Sequence, residues 1–229
     1  VEQAIARGAS GLLVSAGAPD HPHVPNHPHV MVADTMAALA ALAGAARDRS
    51  AAVRIGVTGS VGKTGVKEAL KAALARYAPG AVHASVKSYN NHTGVPLSLA
   101  RMPAASRFGV FEMGMNHSGE LAALTQLVRP QVAIVTWVAS AHREFFATEA
   151  DIARAKAEIF GGLLPGGTAI IPADNPHAEI LRAGAAAAGA RVVSFGIDAG
   201  DVRAEQVALH PGCSCVTARL GDERLTFKV

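Results

Sequence analysis

Short apolar runs alternate along most of this chain with longer segments in which apolar side chains recur every three or four positions. The runs predict strands at 53–57, 81–84, 108–113, 132–138, 168–171 and 191–195. The periodic segments predict helices at 62–77, 95–101, 118–128, 149–163 and 176–188. Strands and helices alternating through short loops imply a mainly parallel sheet covered on both faces. Ahead of this pattern lie predicted strands at 11–15 and 30–33, separated by a Pro- and His-rich loop at 19–28. A helix at 36–47 follows, with Asp34 and Thr35 placed to cap it. The polar, small segment 49–52 reads as a domain junction. The tail differs, with strands at 202–209, 214–220 and 224–229 joined by Pro-Gly and Gly-Asp turns, a small antiparallel extension. The expected fold is α/β: a central domain of this kind, preceded by part of a smaller α/β domain.

The richest stretch is RIGVTGSVGKTG, residues 54–65. A strand pattern enters a Gly-rich turn that ends in Gly-Lys-Thr, and a helical pattern follows. Such a turn offers backbone N–H groups and a helix N-terminus to an anion. Thr58, Gly59, Ser60, Val61, Gly62, Lys63 and Thr64 are therefore the candidate nucleotide-binding residues, with Lys63 on the β/γ-phosphates and Thr64 on Mg²⁺. The general phosphate-loop spacing fails by one residue, because Val57 stands where the first Gly belongs.

Other polar residues stand at strand ends, where open α/β sheets bind ligands. Glu112 closes an apolar strand, either as a Mg²⁺-directed carboxylate or as a strand-end acid in solvent. His142 follows the strand at 132–138, and a lone His is more often structural. Lys156 lies beside the packed face of its helix, where a snorkelling lysine is the plain alternative. Asn90 and Asn91 begin a turn before a short helix, suited to reading a polar ligand or to capping.

Composition narrows the function classes. The chain has 229 residues, half of them hydrophobic and only 4% aromatic, with a net charge of +3. With no Lys/Arg run or aromatic interleaving, nothing argues for nucleic acid. The longest apolar stretch, 37–46, is too short to span a bilayer. Cys213 and Cys215 lack the partners of a zinc site and suggest no disulfide framework, so a reducing compartment fits. The chain opens without Met, in what reads as a helix already under way, and stops inside a strand pattern. A fragment is the expectation.

Together, TGSVGKT, SYNNHTGVPLSL, FEMGMNHSGE, VRPQVAIVTWVASAHREFF, AKAEIF and LLPGGTAIIPADN resemble the Mur ligases in order and spacing, from about Val1 to Asn175. The shifted phosphate loop is the form that family uses. The resemblance implies ATP-driven amide formation through an acyl phosphate. The substrates implied are UDP-MurNAc-tripeptide and D-alanyl-D-alanine, the setting peptidoglycan synthesis in the bacterial cytoplasm, and the state monomeric. It implies that 1–50 are the rear part of a UDP-sugar-binding domain and 51–229 the central ATP-binding domain. The C-terminal Rossmann-like domain of the family would then be absent.

Residue by residue, Lys63 matches the lysine on the β/γ-phosphates, and Thr64 and Glu112 match the ligands of one Mg²⁺. His142 matches the ligand of a second Mg²⁺. Lys156 matches a lysine that several members carry as a carbamate, a modification that needs the neutral amine and hence a depressed pKa. Asn90, Asn91, Asn116 and His117 fall where the tripeptide is contacted, and Asp174 and Asn175 near the adenine. Pro172 replaces a family Asn in that last segment and removes its amide.

His21, His23, His27 and His29 invite a metal reading, but intervening prolines break any ligand periodicity and the loop is remote from the phosphate loop. The rival readings are another Mur-type ligase, a generic phosphate-loop kinase or GTPase, and a nucleotide-binding module without catalysis. Residues 136–142 hold no Asn-Lys-x-Asp segment, which argues against a GTPase.

Overall fold

The computed structural model describes residues 1–15, 24, 26–140 and 144–229. A short helix α1 (Glu2–Ala6) precedes β1 (Leu12–Ser15), which pairs in parallel with β2 (His29–Val32). Helix α2 (Thr35–Asp48) begins where Asp34, in an extended conformation, accepts from the N–H groups of Met36 and Ala37. That side chain satisfies two of the donors a helix start leaves orphaned. Ala43 and Ala46 of α2 are buried. The helix packs on α4 (Gly94–Ala100) and α5 (Glu120–Val128), and Arg47 Nη1 donates to Leu127 O at 2.7 Å.

The main sheet contains β3 (Val53–Thr58), β4 (Val82–Ala84), β5 (Phe108–Glu112), β6 (Val132–Val135), β7 (Thr168–Pro172), β8 (Arg191–Gly196), β9 (Val202–His210), β10 (Cys213–Leu220) and β11 (Glu223–Lys228). Their spatial order is β11-β10-β9-β8-β7-β6-β3-β5-β4. All pairs from β4 across to β9 are parallel, and β9, β10 and β11 are antiparallel. The expected antiparallel extension is therefore continuous with the parallel sheet, joined through Phe195 opposite Val202 and Gly196 opposite Arg203. From β5 the chain crosses over β3 to reach β6. The strand order thus switches beside the carboxyl end of β3, where such sheets open a ligand crevice.

Helix α3 (Lys63–Tyr77) packs on one face, its Val66, Leu70 and Leu74 meeting Ile55, Val57, Val110 and Ile134. The opposite face carries the larger core. There Phe111, Met113 and Val135 pack with α5, α6 (Glu149–Ala157) and α7 (Ala178–Ala187) through Leu121, Leu124, Ile152, Leu181 and Ala185. Full burial of an aliphatic or aromatic side chain such as Phe111 or Leu121 is worth about 1.5–3 kcal/mol.

Two expected elements end early. The helix expected over 149–163 is α-helical only to Ala157 and continues as a 3₁₀ turn, Glu158–Gly162. Gly162 there lies against the backbone of α5, and a Cβ on it would sit 2.4 Å from Thr125 O. The strand expected over 132–138 stops at Val135, where Thr136 turns its hydroxyl to Thr58 O and Val61 O beneath the phosphate loop. Cys213 and Cys215 are free thiols on β10. Among the described residues no helix is long and apolar enough to cross a membrane.

Candidate active site

The loop between β3 and α3 stands at the carboxyl end of the central strand. Gly59 has φ +153 and Gly62 φ +82, conformations that L side chains rarely adopt. A Cβ on Gly59 would lie 1.9 Å from Thr136 Oγ1, so the loop can be packed this closely only with glycine there. Ser60 N–H donates to Trp137 O, and Ser60 Oγ donates to Ala139 O. The next N–H groups, of Val61, Gly62, Lys63 and Thr64, have no acceptor among the described residues. Among the described residues, buried Thr58 Oγ1 has no hydrogen-bond partner. Successive free donors at a helix N-terminus, with an unmet hydroxyl beneath them, form an anion cradle and fit the phosphates of a nucleotide.

Lys63 Nζ folds back over this loop and donates to Gly59 O at 2.7 Å. Thr64 Oγ1 donates to Glu112 Oε2 at 2.9 Å, joining the start of α3 to the end of β5. Glu112 is 1% exposed, so its carboxylate depends on the groups around it. Asn90 Nδ2 donates to Oε1 at 2.8 Å, and Lys67 Nζ lies 3.9 Å from Oε2. A hydroxyl beside a buried carboxylate is the hard oxygen set that Mg²⁺ takes while keeping most of its waters.

A cavity of about 110 Å³ opens next to this pair, lined by Gly59, Lys63, Asn90, Gly114, Met115, Asn116 and Lys156. Five residues singled out from the sequence thus share one enclosure. Lys156 is 2% exposed, and its burial, with the Lys63 ammonium as a smaller contribution, lowers its pKa to about 7. Burial also lowers the Lys63 pKa, against the pull of Glu112.

The remaining candidates are placed differently. The Asn91 side chain accepts from Thr93 N–H and Gly94 N–H, the capping alternative, at the start of α4. His117 is exposed, 3.2 Å from Glu120 Oε1, with its ring centroid 4.4 Å from that of Phe145. Asn116 lines the cavity, and its backbone N–H donates to Glu120 Oε2. Asn175 is buried, donates to Val138 O at 2.8 Å and accepts from His177 N–H. The Asp174 carboxylate accepts from the N–H groups of Ile197, Asp198 and Ala199, and the first of these bonds contributes most to lowering its pKa. It borders an apolar groove of about 500 Å³ with Trp137, Phe195 and Ile197. His142, His21 and His23 lie outside the described residues.

One residue of the site escaped sequence reasoning. Lys67 is fully buried, donates to Lys87 O, and lies 3.0 Å from Glu68 Oε1 as well as near Glu112. Its signal was its place one helical turn beyond Lys63, on the same face of α3.

Residues 57–229 match the family profile described as the Mur ligase middle domain. The chain is similar to the UDP-N-acetylmuramoyl-tripeptide–D-alanyl-D-alanine ligase of Escherichia coli (strain K12), 41% identical over 174 residues, 76% of this chain and 37% of that protein. It is also similar to a crystal structure of MurF from Acinetobacter baumannii. The TM-score is 0.85 at 30% identity, covering 100% of this chain and 48% of that one. MurF ligase from Thermotoga maritima in complex with ADP gives a TM-score of 0.81 at 26% identity, covering 99% and 51%. The chain thus spans less than two fifths of the curated relative and about half of the solved structures.

Proposed function

Because the chain belongs to the Mur ligase family, we propose that it provides the nucleotide-binding centre of an ATP-dependent ligase joining D-alanyl-D-alanine to UDP-MurNAc-tripeptide. Residues 1–50 are then the rear part of the UDP-sugar-binding domain and 51–229 the central domain. The observation that carries the reading is the enclosure shared by Lys63, Asn90, Asn116 and Lys156, beside the Thr64–Glu112 pair. MgATP supplies the phosphoryl group that activates a substrate carboxylate.

The chain's own residues have separable tasks. The free N–H groups from Val61 to Thr64 would hold the phosphates, with the Lys63 ammonium, now on Gly59 O, placed to supply positive charge beside them. Thr64 and Glu112, already paired, would hold Mg²⁺, and Asn90 fixes the orientation of the carboxylate. Ordered donors in a water-poor site stabilise transferring charge without reorganising. The Trp137 groove, which reaches the phosphate loop through the Ser60–Trp137 hydrogen bond, takes the adenine, with Asp174 holding its 197–199 rim. Asn116 and His117 face the tripeptide. His142 is assigned to a second Mg²⁺ on the family resemblance alone.

Lys156, with its pKa about 7, supplies the neutral amine that carbamylation by CO₂ requires. A carbamate is an oxygen ligand suited to Mg²⁺, and an ammonium is not. Unmodified electron density at Lys156 in crystals grown with bicarbonate would exclude the modification.

The reaction is tested by phosphate release from the full-length polypeptide given MgATP, UDP-MurNAc-tripeptide and D-alanyl-D-alanine. The proposal expects release that needs all three and is lost in Lys63→Ala. Release indifferent to D-alanyl-D-alanine would leave a nucleotide hydrolase instead.

A further inference from the structure

A second cluster of positive charge lies at the opposite end of β3. Arg54 stands near the start of that strand and the phosphate loop at its end, roughly 13–16 Å away at the rise of a strand. Arg47, Asp48, Ser50, Arg54, Arg129 and Leu164 line a cavity of about 270 Å³ there. Three guanidiniums therefore face one carboxylate.

That carboxylate is committed. Asp48 Oδ1 accepts from Arg47 Nε at 2.7 Å and Oδ2 from Arg47 Nη2 at 3.1 Å, a bidentate pair. The carbonyl-rich end of α5 accounts for part of what remains. Arg47 Nη1 donates to Leu127 O, Arg54 Nε to Val128 O and Arg129 O, and Arg54 Nη1 to Ala52 O. Among the described residues nothing accepts from Arg54 Nη2 or from the Arg129 guanidinium. Arg54 is only 8% exposed, and the carboxylate whose charge reaches it, Asp48, is hydrogen-bonded to Arg47 instead. Burial first, then Arg47 and Arg129, pull its pKa down from the usual arginine value against the opposing charge of Asp48. The helix-end carbonyls and Asp48 offset part of this charge, and among the described residues Arg54 Nη2 and the whole Arg129 guanidinium remain as free donors on the cavity.

Arg129 adds an independent sign. It ends α5 at φ +49 and ψ +66, the left-handed conformation in which glycine or asparagine is usual. A long cationic side chain stands there, lining a cavity already rich in arginine, in a conformation its backbone disfavours.

The geometry points to a second anion site, built by Arg47, Arg54 and Arg129, that binds a phosphate-type oxyanion at the end of the sheet remote from the nucleotide. Forked, planar guanidiniums suit the several oxygens of a phosphoryl group, and the Ser50 hydroxyl offers one further donor. The anion is either free inorganic phosphate or the phosphate of a small metabolite.

Calorimetric titration of the whole chain tests this, with inorganic phosphate, pyrophosphate and phenyl phosphate as probes. Lys63→Ala serves as the background, so that the phosphate loop does not contribute. Saturable binding that survives Lys63→Ala and weakens roughly tenfold in Lys63→Ala/Arg129→Gly is expected, since each charge-assisted contact is worth about that factor. Glycine at 129 relieves the backbone, so the double variant should melt no lower than its parent. Binding of phosphate itself identifies a free-anion site, and binding of phenyl phosphate alone identifies a phosphorylated metabolite. Absence of saturable binding by any probe in Lys63→Ala, or equal affinity with and without Arg129, would overturn the proposal.

Discussion

Replacing Lys156 by methionine should stabilise the protein at neutral pH, by an amount that shrinks as the pH rises. The two side chains are similar in length and the site is enclosed, so packing changes little. The native pKa is about 7 against 10.5 for an ordinary lysine. Between these values the unfolded chain holds a proton that the native protein has lost, so wild-type stability rises with pH across this window. The penalty is full below pH 7 and gone above about pH 10.5. Linkage puts it at about 4 kcal/mol at pH 7 and about 2 kcal/mol at pH 9. Urea unfolding of wild type and Lys156→Met at both pH values, in CO₂-free buffer, isolates the effect because other titrations cancel in the difference. The advantage of the variant should fall by about 2 kcal/mol between the two. A difference constant to within roughly 0.5 kcal/mol would refute the claim that burial and Lys63 disfavour the charged form.

Two other substitutions probe the loops that frame the site. Gly59→Ala should cost roughly 2–4 kcal/mol, from positive φ and from displacing Thr136 Oγ1 off the carbonyls of Thr58 and Val61. Calorimetry should then show a melting point lower by roughly 5–15 °C, and an unchanged one would mean that the loop is not packed as described. Asp174→Ala should speed hydrogen exchange at the amides of Ile197, Asp198 and Ala199, which donate to its carboxylate, and leave the central strands protected. Unaltered exchange at those amides would show that the rim of the Trp137 groove does not depend on Asp174.

Much of the architecture was legible because apolar runs and helical periodicity report burial directly. β3, β5 and α3 fall within one residue of their expected bounds. The misses have local causes that lie in partner segments. Nothing between 132 and 138 indicates that Thr136 must turn away to support a loop formed 75 residues earlier. Nothing in EIFGG shows that Gly162 will meet the Thr125 backbone and tighten the helix end.

In the candidate site, the meeting of Lys63, Thr64 and Glu112 was legible because strand-end and helix-start positions fix where side chains go. Asn91, Asp174 and Asn175 were harder, since amides and carboxylates serve backbone capping as readily as ligands. The structure gives all three capping or bracing bonds. Lys67 looked like one more helix lysine. Only the arrival of Glu112 and the Lys87 carbonyl makes it a buried cation.

The Gly59–Thr64 loop and Glu112 are proposed to form one Mg²⁺-nucleotide site. Calorimetric titration of the chain with ADP, in the presence and absence of Mg²⁺, tests it most directly. The account predicts saturable binding that weakens at least roughly tenfold without Mg²⁺ and is lost in Lys63→Ala, with Glu112→Gln abolishing the Mg²⁺ effect alone. Binding that ignores both Mg²⁺ and Lys63 would place the nucleotide elsewhere and contradict the account.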